Sequence, residues 1–140
     1  MNSKHLITTF LAAILFGATS TPVAIAQNSQ RILPAQLESM FSDMRAKAPW
    51  NVDGPLLWGY FFFDPNRDRL QAVANELAKA GYQVVSLIEV KGRNSFRLHV
   101  EKIEVHSPST LHARNTEFYE LAARYKLASY DGMDVGPAPK

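Results

Sequence analysis

The run Leu56-Leu57-Trp58-Gly59-Tyr60-Phe61-Phe62-Phe63 constrains this chain more than any other stretch. It is short, apolar at both parities and crowded with aromatics. A helix that short would leave much of the surface wet, whereas a central strand covered on both faces calls for such a sequence. The run is therefore the middle of a sheet, and the rest of the chain must supply its neighbours and its cover.

The flanking segments fit that demand. Upstream, Pro34 suits a first helical turn, and Leu37, Met40, Phe41 and Met44 repeat at the spacing of one helical face. That helix should stop near Ala48, because Pro49 disfavours helical geometry in the residue before it. Downstream, Asp64-Pro65 reads as an N-cap followed by proline at the first helical position. Leu70, Val73, Ala74 and Leu77 then form a buried stripe, and Gly81 ends the helix. Tyr82 to Val90 reads as a strand, and Lys91-Gly92-Arg93-Asn94-Ser95 as the loop of a hairpin. The returning strand, Phe96 to Val105, changes parity: Phe96, Leu98 and Val100 share a face, but the next apolar residues are Ile103 and Val105. A β-bulge between Glu101 and Lys102, or a break after Val100, would account for the change. Ser107-Pro108 opens a second capped helix, reaching about Lys126, with Leu111, Phe118, Leu121, Ala122 and Tyr125 inward. Ser129 to Val135 forms a short last strand around Gly132.

After the leading helix the order is β-α-β-β-α-β. This is the α+β, ferredoxin-like arrangement of two interlocked split βαβ units, with both helices on one face of a four-stranded sheet. The helix from Pro34 to Ala48 is an addition, expected to cover the other face or an edge. Residues 27–55 thus read as linker and leading helix, 56–135 as the ferredoxin-like domain and 136–140 as a tail.

The N-terminus reads as an address rather than as structure. Lys4 precedes an apolar stretch from Leu6 to Ala18, Pro22 breaks it, and Ala24-Ile25-Ala26 places small residues where a signal peptidase reads them. Residues 1–26 are expected to be a signal peptide cleaved after Ala26, which leaves no membrane anchor and puts the product in the periplasm or outside the cell. The chain has no cysteine, so its core must hold without the disulfides that export permits. Fifteen Lys and Arg stand against thirteen Asp and Glu, a balance too even to give the basic footprint of a nucleic-acid binder.

Chemistry-bearing motifs are sparse. His99, His106 and His112 lack the spacing of a helical metal pair, and no cysteine can join them. They read as surface histidines, and neither a metal nor a cofactor is expected. Glu101 and Glu104 lie on a strand with Arg97 and Lys102, where cross-strand pairing is the simplest account. Asp131 and Asp134 bracket Gly132, and an Asp-Gly step is first of all a turn signal. No nucleophile elbow, phosphate loop or Ser-His-Asp ordering occurs, so no catalytic residue is assigned. The clustered aromatics could suggest an RNA-stacking platform on this fold, but its signature is missing and a core strand explains them.

Several pieces together resemble one family, the regulator of ribonuclease E activity B. They are Trp58-Gly59-Tyr60-Phe61-Phe62-Phe63-Asp64, Leu77 with Gly81-Tyr82-Gln83-Val84, and the strand Phe96 to Val100. The last is Phe118-Tyr119-Glu120-Leu121-Ala122-x-x-Tyr125 leading into Tyr130-Asp131-Gly132-Met133. The resemblance implies a ferredoxin-like fold and a non-enzymatic protein that binds and inhibits another protein, an endoribonuclease in the founding case. That target is cytoplasmic, whereas export would place this chain elsewhere, and Met133 stands where the family usually has tryptophan. The expectation is an exported protein-binding domain of inhibitor or immunity type, with Tyr130, Asp131, Gly132 and Asp134 as candidate partner-binding residues. The alternative is a small periplasmic enzyme or ligand-binding domain using acidic residues near Asp131.

Overall fold

A computed structural model describes residues 31–140. The signal peptide expected at 1–26 and the polar stretch at 27–30 lie outside the described residues. Three helices and four strands follow in the order α1 (Pro34–Lys47), β1 (Leu56–Asp64), α2 (Arg67–Lys79), β2 (Gln83–Val90), β3 (Ser95–Glu104), α3 (Pro108–Arg124) and β4 (Ser129–Pro137). The sheet runs β2-β3-β1-β4, and every neighbouring pair is antiparallel. This is the expected ferredoxin-like pattern, with β1 in the middle.

The covered face is built from alternate residues of β1. Leu56, Trp58, Tyr60 and Phe62 are buried beneath the helices. Tyr60 and Phe62 meet Phe118 of α3 edge-on, with ring centroids 4.8 and 5.3 Å apart, and Phe62 also lies 5.0 Å from Tyr130. Such tilted contacts place ring edges against ring faces, the favoured arrangement of their quadrupoles.

The leading helix takes a different place from the one expected. It covers neither the opposite face nor an edge, but lies beside α3 in the same helical layer. Phe41 stacks on Trp58 at 6.0 Å, and Leu37, Phe41 and Met44 are buried in the one core cluster. The strongest apolar demand at that end of the sheet is Trp58, too large for α3 alone to cover. The start of α1 is held by the Gln36 side chain, whose Oε1 accepts from the Leu33 N–H at 2.8 Å; leucine has no side-chain acceptor to return, so only this half of a capping box forms.

Because all three helices share one side, β1 is not buried on both faces. Leu57, Phe61 and Phe63 point to the opposite side and are only half-buried. The expected bulge in β3 is also absent, since β1 and β3 stay in unbroken register from Leu56 opposite Glu104 to Asp64 opposite Phe96. The parity change has another cause: Ile103 and Val105 sit on the open side, 51% and 60% exposed, while Glu104 turns inward to a buried ion network. The register shifts lie elsewhere, in β2 between Val84 and Ser86 and in the pairing of β1 with β4, where Phe61 faces Asp131 and Gly132 together. Gly132 absorbs that bulge at φ +95°, a conformation that strains any residue with a Cβ.

The start of α2 also departs from expectation. Asn66, not Asp64, is its N-cap, accepting from the Asp68 and Arg69 N–H groups. Asp64 is the last residue of β1 and is buried. Its carboxylate accepts from the Asn66 N–H at 2.7 Å and from the Ala128 N–H at 2.9 Å. A carboxylate has lone pairs for several donors, so it ties both loops at that end of the sheet together.

Candidate functional site

Two surfaces stand out: the uncovered face of the sheet and a groove beside its β4 edge. The uncovered face is organised around Gly59, in the middle of β1. A Cβ there would collide with Asp134 Oδ1 from β4 and fall 2.8 Å from His99 Nε2 of β3. Glycine is therefore required by its neighbours' side chains, which fold over it from both adjacent strands. Next along β1, the His99 imidazole stacks on Phe61 at 4.5 Å and 20°, and the Arg97 guanidinium sits 5.7 Å from the same ring. His99 also reaches Glu101 Oε1 at 3.4 Å. Around this polar and aromatic centre lie exposed Val85, Ile88, Ile103 and Val105. Exposed apolar side chains clustered beside a few polar groups suit a contact surface.

The groove lies between α1 and β4, encloses about 500 Å³ and is lined by Met40, Asp43, Met44, Trp58, Met133 and Val135 among others. β4 ends the sheet, so its outer edge has no strand partner among the described residues.

Of the four candidate contact residues, the structure brings only some to the surface. Tyr130 is buried, and its hydroxyl donates to Asn115 Oδ1 at 2.6 Å. Burial pushes the Tyr130 hydroxyl well up from its ordinary value, so its side chain positions β4 rather than meeting a partner. Asp131 is exposed at the bulge, Gly132 is buried beneath Ile32, and Asp134 lies over Gly59. Asp131 and Asp134 thus occupy different surroundings, and the groove involves only the second. Among the described residues, no three His, Asp or Glu side chains are placed to hold a metal ion.

The cluster that sequence reasoning missed lies on the covered side. His106, expected at the surface, is buried and packs edge-on against Trp58 at 5.3 Å. Glu104 Oε2 accepts from the Tyr60 hydroxyl at 2.8 Å and from His106 Nε2 at 3.0 Å, while Oε1 accepts from Arg114 at 2.7 Å. With Nε2–H directed at the carboxylate, His106 Nδ1 takes the Thr110 hydroxyl, 3.0 Å away. Burial alone would raise the Glu104 carboxyl; the hydrogen bonds from His106 and Tyr60 and the charge of Arg114 outweigh it and hold it at about 2. Burial, and then the Glu104 charge, drives the Tyr60 hydroxyl far upward. Both oxygens of Glu104 accept from protein donors and neither surface reaches it, so this network joins β3 to α3 rather than offering a proton to a substrate. Instead of pairing across strands, Glu104 pairs with Arg114 of α3 at 2.7 Å, with Lys102 of its own strand further off at 3.9 Å.

Fold and surface together define a small ferredoxin-like domain of the binding kind, with one sheet face bare and its buried charges engaged in holding the structure. The family described as regulator of ribonuclease activity B matches residues 35–135, which include the leading helix as well as the whole sheet. The chain belongs to that family, a regulatory, protein-binding one. No curated protein shows a significant match to the chain.

Proposed function

We propose that this chain is an exported, non-catalytic domain that binds a partner protein in the periplasm and inhibits or masks it, as an immunity or inhibitor protein does. The observation that supports this best is the bare sheet face. In a domain whose helices all lie on one side, Ile88, Ile103 and Val105 remain exposed around Phe61, His99 and Arg97. A standard interface takes roughly 800 Å² from each partner, which a sheet of four strands can supply. Family membership supports a regulatory contact with protein, and the segment from Lys4 to Ala26 supports export.

Affinity capture with the natural protein tests the reading. Wild-type chain should retain one partner from periplasmic extract, and Ile103→Asp should release it without loss of folding, as judged by circular dichroism. Retention unchanged by Ile103→Asp overturns the role of the sheet face. N-terminal sequencing should find Gln27 first, in the periplasmic fraction. A product beginning at Met1 in the cytosol overturns export and makes a cytosolic ribonuclease the partner to test.

A further inference from the structure

The groove between α1 and β4 has a form of its own, and we propose that it takes an extended peptide segment that adds a strand to the β4 edge and carries Lys or Arg beside a large apolar side chain. This goes beyond the sheet-face reading and depends neither on it nor on the compartment.

The backbone comes first. β4 is an edge strand without a partner on its outer side among the described residues. The bulge at Asp131 and Gly132 interrupts its pairing at one end, and Pro137, which has no N–H, ends it at the other. The usable edge is therefore Met133 to Gly136, long enough for a short peptide but not for a second sheet. Strand addition supplies affinity through main-chain hydrogen bonds and specificity through pockets for alternate side chains.

The pockets are present on that alternation. Met133 and Val135 face the helical side, in register with Tyr60 and Trp58 of β1. A side chain of the added strand pointing the same way would enter the groove over Met40, Met44 and Trp58, whose volume of about 500 Å³ is that of a ligand pocket. Methionines suit such a floor because their flexible side chains adapt to varied occupants.

Charge selects the remainder. Asp43 lines the groove on the helical side, and Asp134, which lies between Met133 and Val135 in β4 and borders the groove, stands on the open side over Gly59. Neither forms an ion pair among the described residues. Lys47, at the end of α1, does not line the groove. An added strand would thus meet a carboxylate on each of its faces, which favours cationic side chains and rejects acidic ones.

The test is selection of a random-peptide display library on the full chain, followed by heteronuclear NMR of the selected peptides. Expected are sequences alternating large apolar residues with Lys or Arg, which shift the amides of Met133 to Gly136 and the indole N–H of Trp58. Trp58 lines the groove and its indole N–H is buried with no acceptor among the described residues, so its resonance is sensitive to an occupant there. Asp43→Lys, an exposed change that leaves the core alone, should weaken binding about tenfold, and Ile103→Ser on the open face should leave it unchanged. Selection of no motif or of acidic peptides, shifts confined to the sheet face, or equal binding by Asp43→Lys would each overturn the proposal. So would shifts that grow with protein concentration alone, which would assign the β4 edge to a second copy.

Discussion

The two faces of the sheet are made from the same strands and often from adjacent residues, yet they do different work. On one face Trp58, Tyr60 and Phe62 are fully buried. On the other, Leu57, Phe61 and Phe63 are only half-buried, with His99 and Arg97 of β3 lying against Phe61. A strand alternates its side chains, so the helical layer decides which set becomes core. The first set stabilises the fold, and the second is free to meet something else.

The sharpest way to break this comparison is to truncate equivalent aromatics on the two sides. Phe62→Ala removes a ring packed against Phe118 and Tyr130 and should cost about 4 kcal/mol, as large-to-small changes in a closed core do. Phe61→Ala should cost about 1 kcal/mol, mainly the lost stacking with His99. Chemical denaturation measures both, and equal costs would mean that the open face is as much a core as the covered one.

The ion network gives the next effect, again confined to the covered side. Glu104 is held at about 2 against an ordinary 4.5, so its charged form is favoured by folding and contributes about 3 kcal/mol at neutral pH. Because the folded value is the lower one, that contribution is present above the ordinary value and is lost as pH falls from about 5 to 2. The stability gap between wild type and Glu104→Gln should accordingly be widest near neutrality and close on acidification. A gap that stays constant across that range would show that Glu104 acts through its shape alone.

These features were not equally legible in the sequence. The element order could be read, because periodicity, the prolines at helix starts and the turn residues all agree with the fold. The side chosen by α1 could not, since an apolar stripe says that a helix is buried and not against what. The parity change in β3 was visible but misread. Ile103 and Val105 looked like a displaced core, whereas the inward position between them belongs to Glu104, whose partners Tyr60, His106 and Arg114 are brought together only by the tertiary structure. Gly59 did carry a usable signal: a glycine inside an aromatic strand often marks a close approach. Asp131 and Asp134 looked like a pair because they are near in sequence, but the bulge between them separates their surroundings.

Gly59 sharpens the comparison from the open side. Gly59→Ala forces Asp134 and His99 away from the space above β1, and should cost about 1 to 2 kcal/mol. If the collision is the cause, adding Asp134→Ala and His99→Ala should recover most of the loss, a coupling that a double-mutant cycle isolates. A cost that survives both truncations would place the strain in the backbone instead.

The smallest effect on stability belongs to the outermost apolar residues. Ile103→Ser replaces a side chain already half in water and should change stability by no more than about 0.5 kcal/mol. A residue that contributes this little to the fold should have been free to become polar, and polar substitution would reduce the risk of aggregation that exposed sheets carry. Its exposure next to Val105 is instead what a contact surface requires. The same substitution should therefore leave the unfolding midpoint in place while weakening retention of the partner, and a variant that unfolds early yet binds normally would reverse the roles assigned to the two faces.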